Sequence, residues 1–354
     1  MRKSKKRKKI LTFIIILVIF SVIVNRYTSI SYNTITVTQY NSEDELQIHI
    51  IDVDQAESIL IVQDGFTMLV DSGDNFTGDD VVKYIKNLGI DKIDIFLITH
   101  FHRDHAGGAH KIISSLDVKK IVCHKFSDLS TMQERFWYID MSISRSIRET
   151  FGSMSIFMES ACENNKLKNF DVGDAKVYTL SQNNDAVNVN NKSIVFKLVY
   201  GDFSMLFMAD AESEVEKELL EEDADLSADV LKIGHHGSKT STTDEFLDKV
   251  NPKYAVVSCG NGNDYNHPYG AVTKRFEDKN IPLYRTDELG DIVITVKDDG
   301  EIVFDKENGD YLSGRQLRES NWGRCEKSHF FSFFLVIKIS FCYNIFAIRD
   351  IDIW

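Results

Sequence analysis

Four imidazoles and one carboxylate fall within thirteen residues, ITHFHRDHAGGAH (98–110), of a 354-residue chain that holds ten histidines. Histidine nitrogen and carboxylate oxygen are the usual donors to zinc and similar divalent ions. A lone H-x-H is as easily a surface loop. HFHRDH, directly after the apolar run IFLIT, is a donor set carried on the end of a strand. His100, His102, Asp104 and His105 are therefore candidate metal ligands, and Gly107 and Gly108 let the chain fold tightly behind them. Among the other histidines, His49 alternates with apolar neighbours and reads as structural, and His110 reads as a solvated helix position. Ser238 and Ser241 read as substrate contacts or as caps for the helix at TTDEFL.

The elements that must position this chemistry are legible as patterns. LQIHIIDV, SILIVQ and FTMLVDSG are β-branched runs bounded by turn residues, the pattern of consecutive strands. DDVVKYIKNLGI has helical spacing and ends at Gly89, and KIDIFLIT is a strand apolar on both faces. A helix at HAGGAHKIISSL, the strand KKIVCH and a helix at TMQERFWYIDMSISRSIRETF follow. Then come the strand AKVYTL, a hairpin turning at Tyr200 to Asp202, the helix SEVEKELLEE and the strand DVLKIG. The helix TTDEFLDKV, the strand KYAVVSCG, the helix GAVTKRFEDKN and the strands IPLYRT and DIVITV complete the unit. Hairpins mixed with strand-helix alternation predict a layered α/β fold with sheets inside and helices outside.

Composition bounds the rest. The chain is 43% hydrophobic and 27% charged, a globular balance. Five scattered cysteines without a C-x-x-C pair exclude a cysteine zinc site and a disulfide scaffold. Seven Lys/Arg and no acidic residue precede the apolar run Ile10 to Val24, with no small-residue cleavage site after it. We read residues 1–32 as a basic tail and uncleaved signal anchor, ahead of a cleaved signal peptide or a buried helix, with the rest of the chain outside the cell. Residues 33–44 read as a stalk, 45–310 as the folded domain and 311–354 as an apolar tail of unassigned status. The formal charge is -13, more negative still without the basic tail, so no broad footprint for a polyanion exists and such a substrate has to be held locally.

THFHRDHAGG resembles the T-H-x-H-x-D-H signature of the metallo-β-lactamase fold superfamily. The resemblance implies a four-layer αββα sandwich, with one metal on His100 and His102 and a second on Asp104 and His105. MLFMADAE is similar to the motif whose aspartate bridges the metals, here Asp210, with Ala209 where glycine is usual. VLKIGHHGS resembles the motif that supplies the second metal from His235 or His236, and LVDSG one whose Asp71 supports a ligand from behind. The superfamily's mid-chain histidine has no counterpart between Lys125 and Asp210; NVNNKSIVFKL stands there, so Asn190, Asn191 or water is expected in its place.

Taken with NPKYAVVSCG, YNHPY and YRTDELGDIVI, these stretches are most similar to the extracytoplasmic hydrolase domain of ComEC-type competence proteins, over roughly 46–304. That subgroup also lacks the mid-chain histidine, and it places His267 at the mouth of the site, as a phosphate-binding or proton-donating residue. Its D-V-G-Q-G-D-A loop reads DVDQAES here, and the many-span channel is missing. The expected function is that of a membrane-anchored extracellular hydrolase with two divalent ions, zinc first and manganese second. It would cleave a phosphodiester, of nucleic acid or of the cell envelope, with Asp104 orienting the attacking water. An ester, lactone or amide hydrolase of the same fold, or a degenerate metal-binding module, are the alternatives. No protein partner is inferable.

Overall fold

The computed structural model describes residues 45–123, 157–160, 162–163, 166–167, 169–181 and 186–319. The expected anchor, the stalk, the helix at 131–151 and the tail beyond 319 lie outside these residues. Among the described residues no helix is long and apolar enough to cross a membrane.

Strands β1 (Leu46–Ile50), β2 (Ile59–Gln63), β3 (Phe66–Val70), β4 (Lys92–Leu97), β5 (Asp117–Cys123) and β6 (Phe157–Ser160) form one sheet. The late strands β16 (Ile292–Val296) and β17 (Ile302–Phe304) extend it beyond β1. The short pair β7 (Cys162–Glu163) and β8 (Lys166–Leu167) stands apart from it. The second sheet runs through β9 (Phe170–Val172), β10 (Ala175–Ser181), β11 (Val195–Tyr200), β12 (Phe203–Phe207), β13 (Val230–Lys232), β14 (Tyr254–Val257) and β15 (Leu283–Arg285).

Side chains alternate across each strand, and that period decides the layers. Leu46, Ile48 and Ile50, Ile59 and Ile61, and Ile95 and Leu97 face one core with Phe196, Leu198, Met205 and Phe207 of the second sheet. Phe196 and Phe207 stack there with centroids 4.5 Å apart. The opposite parity of the second sheet, Val195, Leu206, Leu231, Ala255 and Val257, packs against helices on its outer face. Those helices are Ser213–Glu221, Asp244–Val250 and Gly270–Asp278, whose Leu219, Phe246 and Phe276 are fully buried. Thr243 caps the second of them, its side chain accepting from Phe246 N at 3.4 Å. Ser238 and Ser241, expected as alternatives for that role, instead bond within their own turn.

On the first sheet, helix Gly78–Asn87 buries Val81, Val82 and Ile85 and carries Asp79 and Asp80 in its first turn, where the helix dipole favours them. It packs against helix Ala109–Ser115, and a Cβ on Gly78 would sit 2.7 Å from Gly108 Cα, so this approach requires glycine. The metal motif enters a separate one-turn helix, Arg103–Ala106, before Ala109–Ser115, rather than one continuous helix. Residues 311–319, beyond the expected domain boundary, pack against the His267 loop: Gly314 N donates to Pro268 O and Arg318 reaches Asn266.

Parallel pairing of β3, β4, β5 and β6, and of β12, β13, β14 and β15, brings their carboxyl ends to one edge of each sheet. That edge is where open α/β sheets bind ligands.

His49, on β1, is buried against Tyr84, its Nδ1 lying 2.9 Å from the hydroxyl. Burial lowers its pKa from 6.5 to about 4. Below pH 6.5 the unfolded chain binds a proton that the folded chain refuses, so stability is complete above 6.5 and falls as pH drops toward 4. Urea midpoints measured across that window should show a shallower acid loss in His49→Gln than in the wild type. Equal slopes would remove His49 from the acid response.

Candidate metal centre

Each candidate ligand sits just past a carboxyl end. Asp71 follows β3, His100 to His105 follow β4, Asp210 follows β12, His235 and His236 follow β13, and His267 lies in the loop after β14. Two donor sets result. Asp104, His105, Asp210 and His236 bring ligand atoms within 4.8 Å of one another, as do His100, His102 and Asp210. Asp210 belongs to both. Its Oδ1 lies 3.1 Å from His105 Nε2 and 3.6 Å from His236 Nε2, and its Oδ2 lies 3.8 Å from His100 Nε2. Asp104 Oδ2 is 3.5 Å from His236 Nε2.

The other ring nitrogens are tied down, which fixes the tautomers. Asp71 Oδ2 accepts from His105 Nδ1 at 2.7 Å and from Thr99 Oγ1 at 2.7 Å, while Oδ1 accepts from Thr99 N at 2.9 Å. Since the Thr99 proton goes to Asp71, His100 Nδ1 is the donor in its 3.2 Å contact with Thr99 Oγ1. His236 Nδ1 donates to Ser258 O at 2.9 Å. Every lone pair freed in this way is an Nε2 that faces Asp210.

These atoms test whether a cation fits. His100 Nε2, His105 Nε2, His236 Nε2 and Asp210 Oδ1 are buried and make no hydrogen bond, a costly state for four converging polar atoms. Imidazole and carboxylate donors with anchored second nitrogens are the chemistry of a divalent metal site, and the cluster fits one. In the metal-free chain the same field acts on protons. Burial opposes charge on His105, but Asp210 and Asp71 outweigh it and raise its pKa well above the ordinary value. Burial, and then His105, push His100 well below it. Burial works against ionised Asp210 too, yet His105 and His236 hold it well below the usual carboxylate range.

His102 and Asp104 are half-buried, which leaves the centre open on one side. His267 borders that opening, its ring 5.7 Å from His235 and stacked on exposed Tyr265 at 5.6 Å. Gln55 Nε2 lies 3.3 Å from His267 Nδ1, and Gln55 Oε1 accepts from Gly260 N. Asn191 is engaged elsewhere: its Oδ1 accepts from Glu212 N at 3.0 Å and its Nδ2 donates to Glu214. Asn190 Nδ2 donates to Glu212 Oε1 at 2.9 Å, and its Oδ1 is buried without a hydrogen bond.

Several supporting residues were not singled out from sequence. Thr99 lies inside the motif and was readable there. Ser193, whose Oγ accepts from Asp210 N at 3.1 Å, carried no local signal, and Glu212, the last residue of MLFMADAE, was given no role of its own there. The altered DVDQAES loop keeps a carboxylate. Glu57 Oε2 is 2.6 Å from Lys232 Nζ, both side chains buried, and Glu57 N donates to Asp104 O at 3.0 Å. Asp54, where the resemblance expects glycine, has φ 55, a left-handed conformation that Asp tolerates.

The sequence profile of the metallo-beta-lactamase superfamily matches residues 51–168. The chain is 30% identical to ComE operon protein 3 of Bacillus subtilis (strain 168) over 213 residues, which cover 60% of this chain and 26% of that protein. It is 27% identical to Competence protein ComA of Neisseria gonorrhoeae over 252 residues, 70% of this chain and 32% of the other. With Recombination protein 2 of Haemophilus influenzae the identity is 26% over 249 residues, 68% and 28% of the two chains. The chain thus spans between a quarter and a third of the length of these relatives.

The buried Glu57–Lys232 pair joins the loop behind Asp104 to the strand that leads into His235 and His236. Lys232→Met leaves a buried carboxylate without its partner and should cost about 3–5 kcal/mol in urea unfolding. The double change Glu57→Leu/Lys232→Met should recover most of it. A single variant as stable as the wild type would show that the pair does not join the two sheets.

Proposed function

We propose that this chain, with its metallo-β-lactamase superfamily profile and His/Asp cluster suited to divalent metal, is a metal-dependent hydrolase that cleaves a phosphodiester bond. The observation that carries this reading is Asp210 standing between two donor sets with one oxygen turned to each. Asp104, His105, His236 and Asp210 would hold one ion, and His100, His102 and Asp210 the other. Two such ions supply Lewis-acid chemistry, neutralising phosphoryl charge and lowering the pKa of water. Imidazole donors favour zinc first and manganese second.

The side chains do the remaining work. Asp71 holds the His105 ring, Thr99 holds His100, and Asp104, half exposed at the mouth, orients the attacking water. His267 faces the open side. Burial, then His236 and His235, lowers its pKa to about 4, so at neutral pH it is an uncharged imidazole. With Nδ1 toward Gln55, its Nε2–H is a hydrogen-bond donor for a phosphoryl oxygen, and of its two expected roles this is the one it fits.

A net charge of -13 disfavours loose binding of a polyanion, so recognition concentrates at the metal centre. One of the relatives is named a competence protein and one a recombination protein, which makes nucleic acid the first phosphodiester to test and the cell envelope the second. Anchoring by residues 1–32, with the domain from residue 45 outside the cell, belongs to the same proposal and rests on the basic and apolar N-terminal sequence.

His102→Ala and Asp104→Asn should each lower hydrolysis of a bis-aryl phosphate by at least about two orders of magnitude while the fold is retained. Wild-type turnover in either folded variant would end the phosphodiesterase reading, as would a wild type that cleaves aryl esters but no phosphodiester.

A further inference from the structure

We infer that His235 is the third nitrogen donor to the ion at His100 and His102, in place of the histidine that the middle of the chain lacks. The inference rests on the two-ion reading above. It begins with the backbone: His235 (φ 48, ψ 48) and His236 (φ 53, ψ 24) are consecutive left-handed residues, a conformation that side chains with a Cβ avoid. The turn is held from outside. His235 N donates to Ala209 O at 2.8 Å, Ser238 N to His235 O at 2.8 Å, and Ser241 Oγ to Gly234 O at 2.8 Å.

This turn sends two adjacent imidazoles to different oxygens of one carboxylate. His236 Nε2 lies 3.6 Å from Asp210 Oδ1, and His235 Nε2 lies 3.8 Å from Asp210 Oδ2. His100 Nε2 stands at the same 3.8 Å from that Oδ2. His235 is therefore on the side of the first ion, whereas His236 belongs to the second.

Its other nitrogen is anchored as those of the ligands are. His235 Nδ1 lies 3.1 Å from Glu212 Oε1, as His105 Nδ1 lies 2.7 Å from Asp71 Oδ2. Glu212 is itself fixed: Asn190 Nδ2 donates to Oε1 and Asn188 Nδ2 to Oε2, each at 2.9 Å, and Glu212 N donates to Asn191 Oδ1. The asparagines that stand where a ligand was expected thus serve the carboxylate behind His235. Thr240 Oγ1, 3.3 Å from His235 Nδ1, and Asn190 Nδ2, 3.5 Å from both ring nitrogens, complete its surroundings. The ring is 22% exposed, against 1–2% for His100 and His236, and it lies outside the three-donor set within 4.8 Å.

Zinc titration of the metal-free, full-length chain, followed by calorimetry and by metal content after dialysis, tests this. The wild type should bind two equivalents. His235→Asn, whose residue type tolerates the left-handed backbone, should keep one equivalent at wild-type affinity and weaken the other at least about 10-fold. Glu212→Gln should weaken the same equivalent by about 10-fold, and Asp104→Asn the opposite one. Two unchanged equivalents in His235→Asn, with only inorganic phosphate binding reduced, would make His235 a substrate contact and overturn the inference. A larger loss in Asn190→Ala than in His235→Asn would also overturn it, by moving the ligand to the Asn190 amide. A wild type that binds fewer than two equivalents would instead overturn the two-ion reading on which it rests.

Discussion

A carboxylate with 1% side-chain exposure cannot sit among imidazoles without a cation to share, and Asp210 is such a carboxylate. His100 and His105 approach it from the first sheet, and His235 and His236 from the second. With His105 Nδ1 bound to Asp71, only a proton or a metal ion can make the 3.1 Å approach of its Nε2 to Asp210 favourable. The rest of the domain holds these groups together despite their desolvation. A superfamily match over residues 51–168 covers only the first sheet's share of the ligands, and Asp210 is where the other share meets it.

The holding is done by two layers of chemistry. Alternating apolar side chains fix the spacing of the sheets, so that the ends of β4 and β12 face each other. Around the site, the chain accepts left-handed backbone at Asp71, Ala209, His235 and His236, each of which aims a side chain or turns the chain beside one. Such strain persists where surrounding bonds over-determine it, and it concentrates at functional sites. The buried Glu57–Lys232 pair belongs to the same scheme, since it ties the loop behind Asp104 to the strand before His235.

What the sequence disclosed follows from range. His100, His102, Asp104 and His105 are one local cluster after an apolar strand, and most strands of both sheets are short β-branched runs, so these were legible, whereas β6 and β9 were not read. The motif resemblance added Asp71, Asp210 and the His235–His236 pair, and left open which of the two histidines is the ligand to the second ion. That question depends on two φ angles and one carboxylate, which no spacing encodes. Gln55 and Glu57 in DVDQAES and Glu212 in MLFMADAE stand in stretches that the resemblance marks, but their partners, like that of Ser193, lie far away in sequence, so their roles were not readable. Asn190 and Asn191 were expected at an ion because they occupy the place of an absent histidine. Their hydrogen bonds to Glu212 reach across about twenty residues of chain, which the local pattern does not encode.

The claim that Asp210 joins two ions has a direct measurement: anomalous diffraction at the metal absorption edge from crystals of the metal-loaded chain. Two peaks about 3.5–4 Å apart, one on each side of the Asp210 carboxylate, are the expected result. One should lie within bonding distance of Asp104, His105 and His236, and the other of His100 and His102. A single peak, or two peaks of which neither contacts Asp210, would contradict the account.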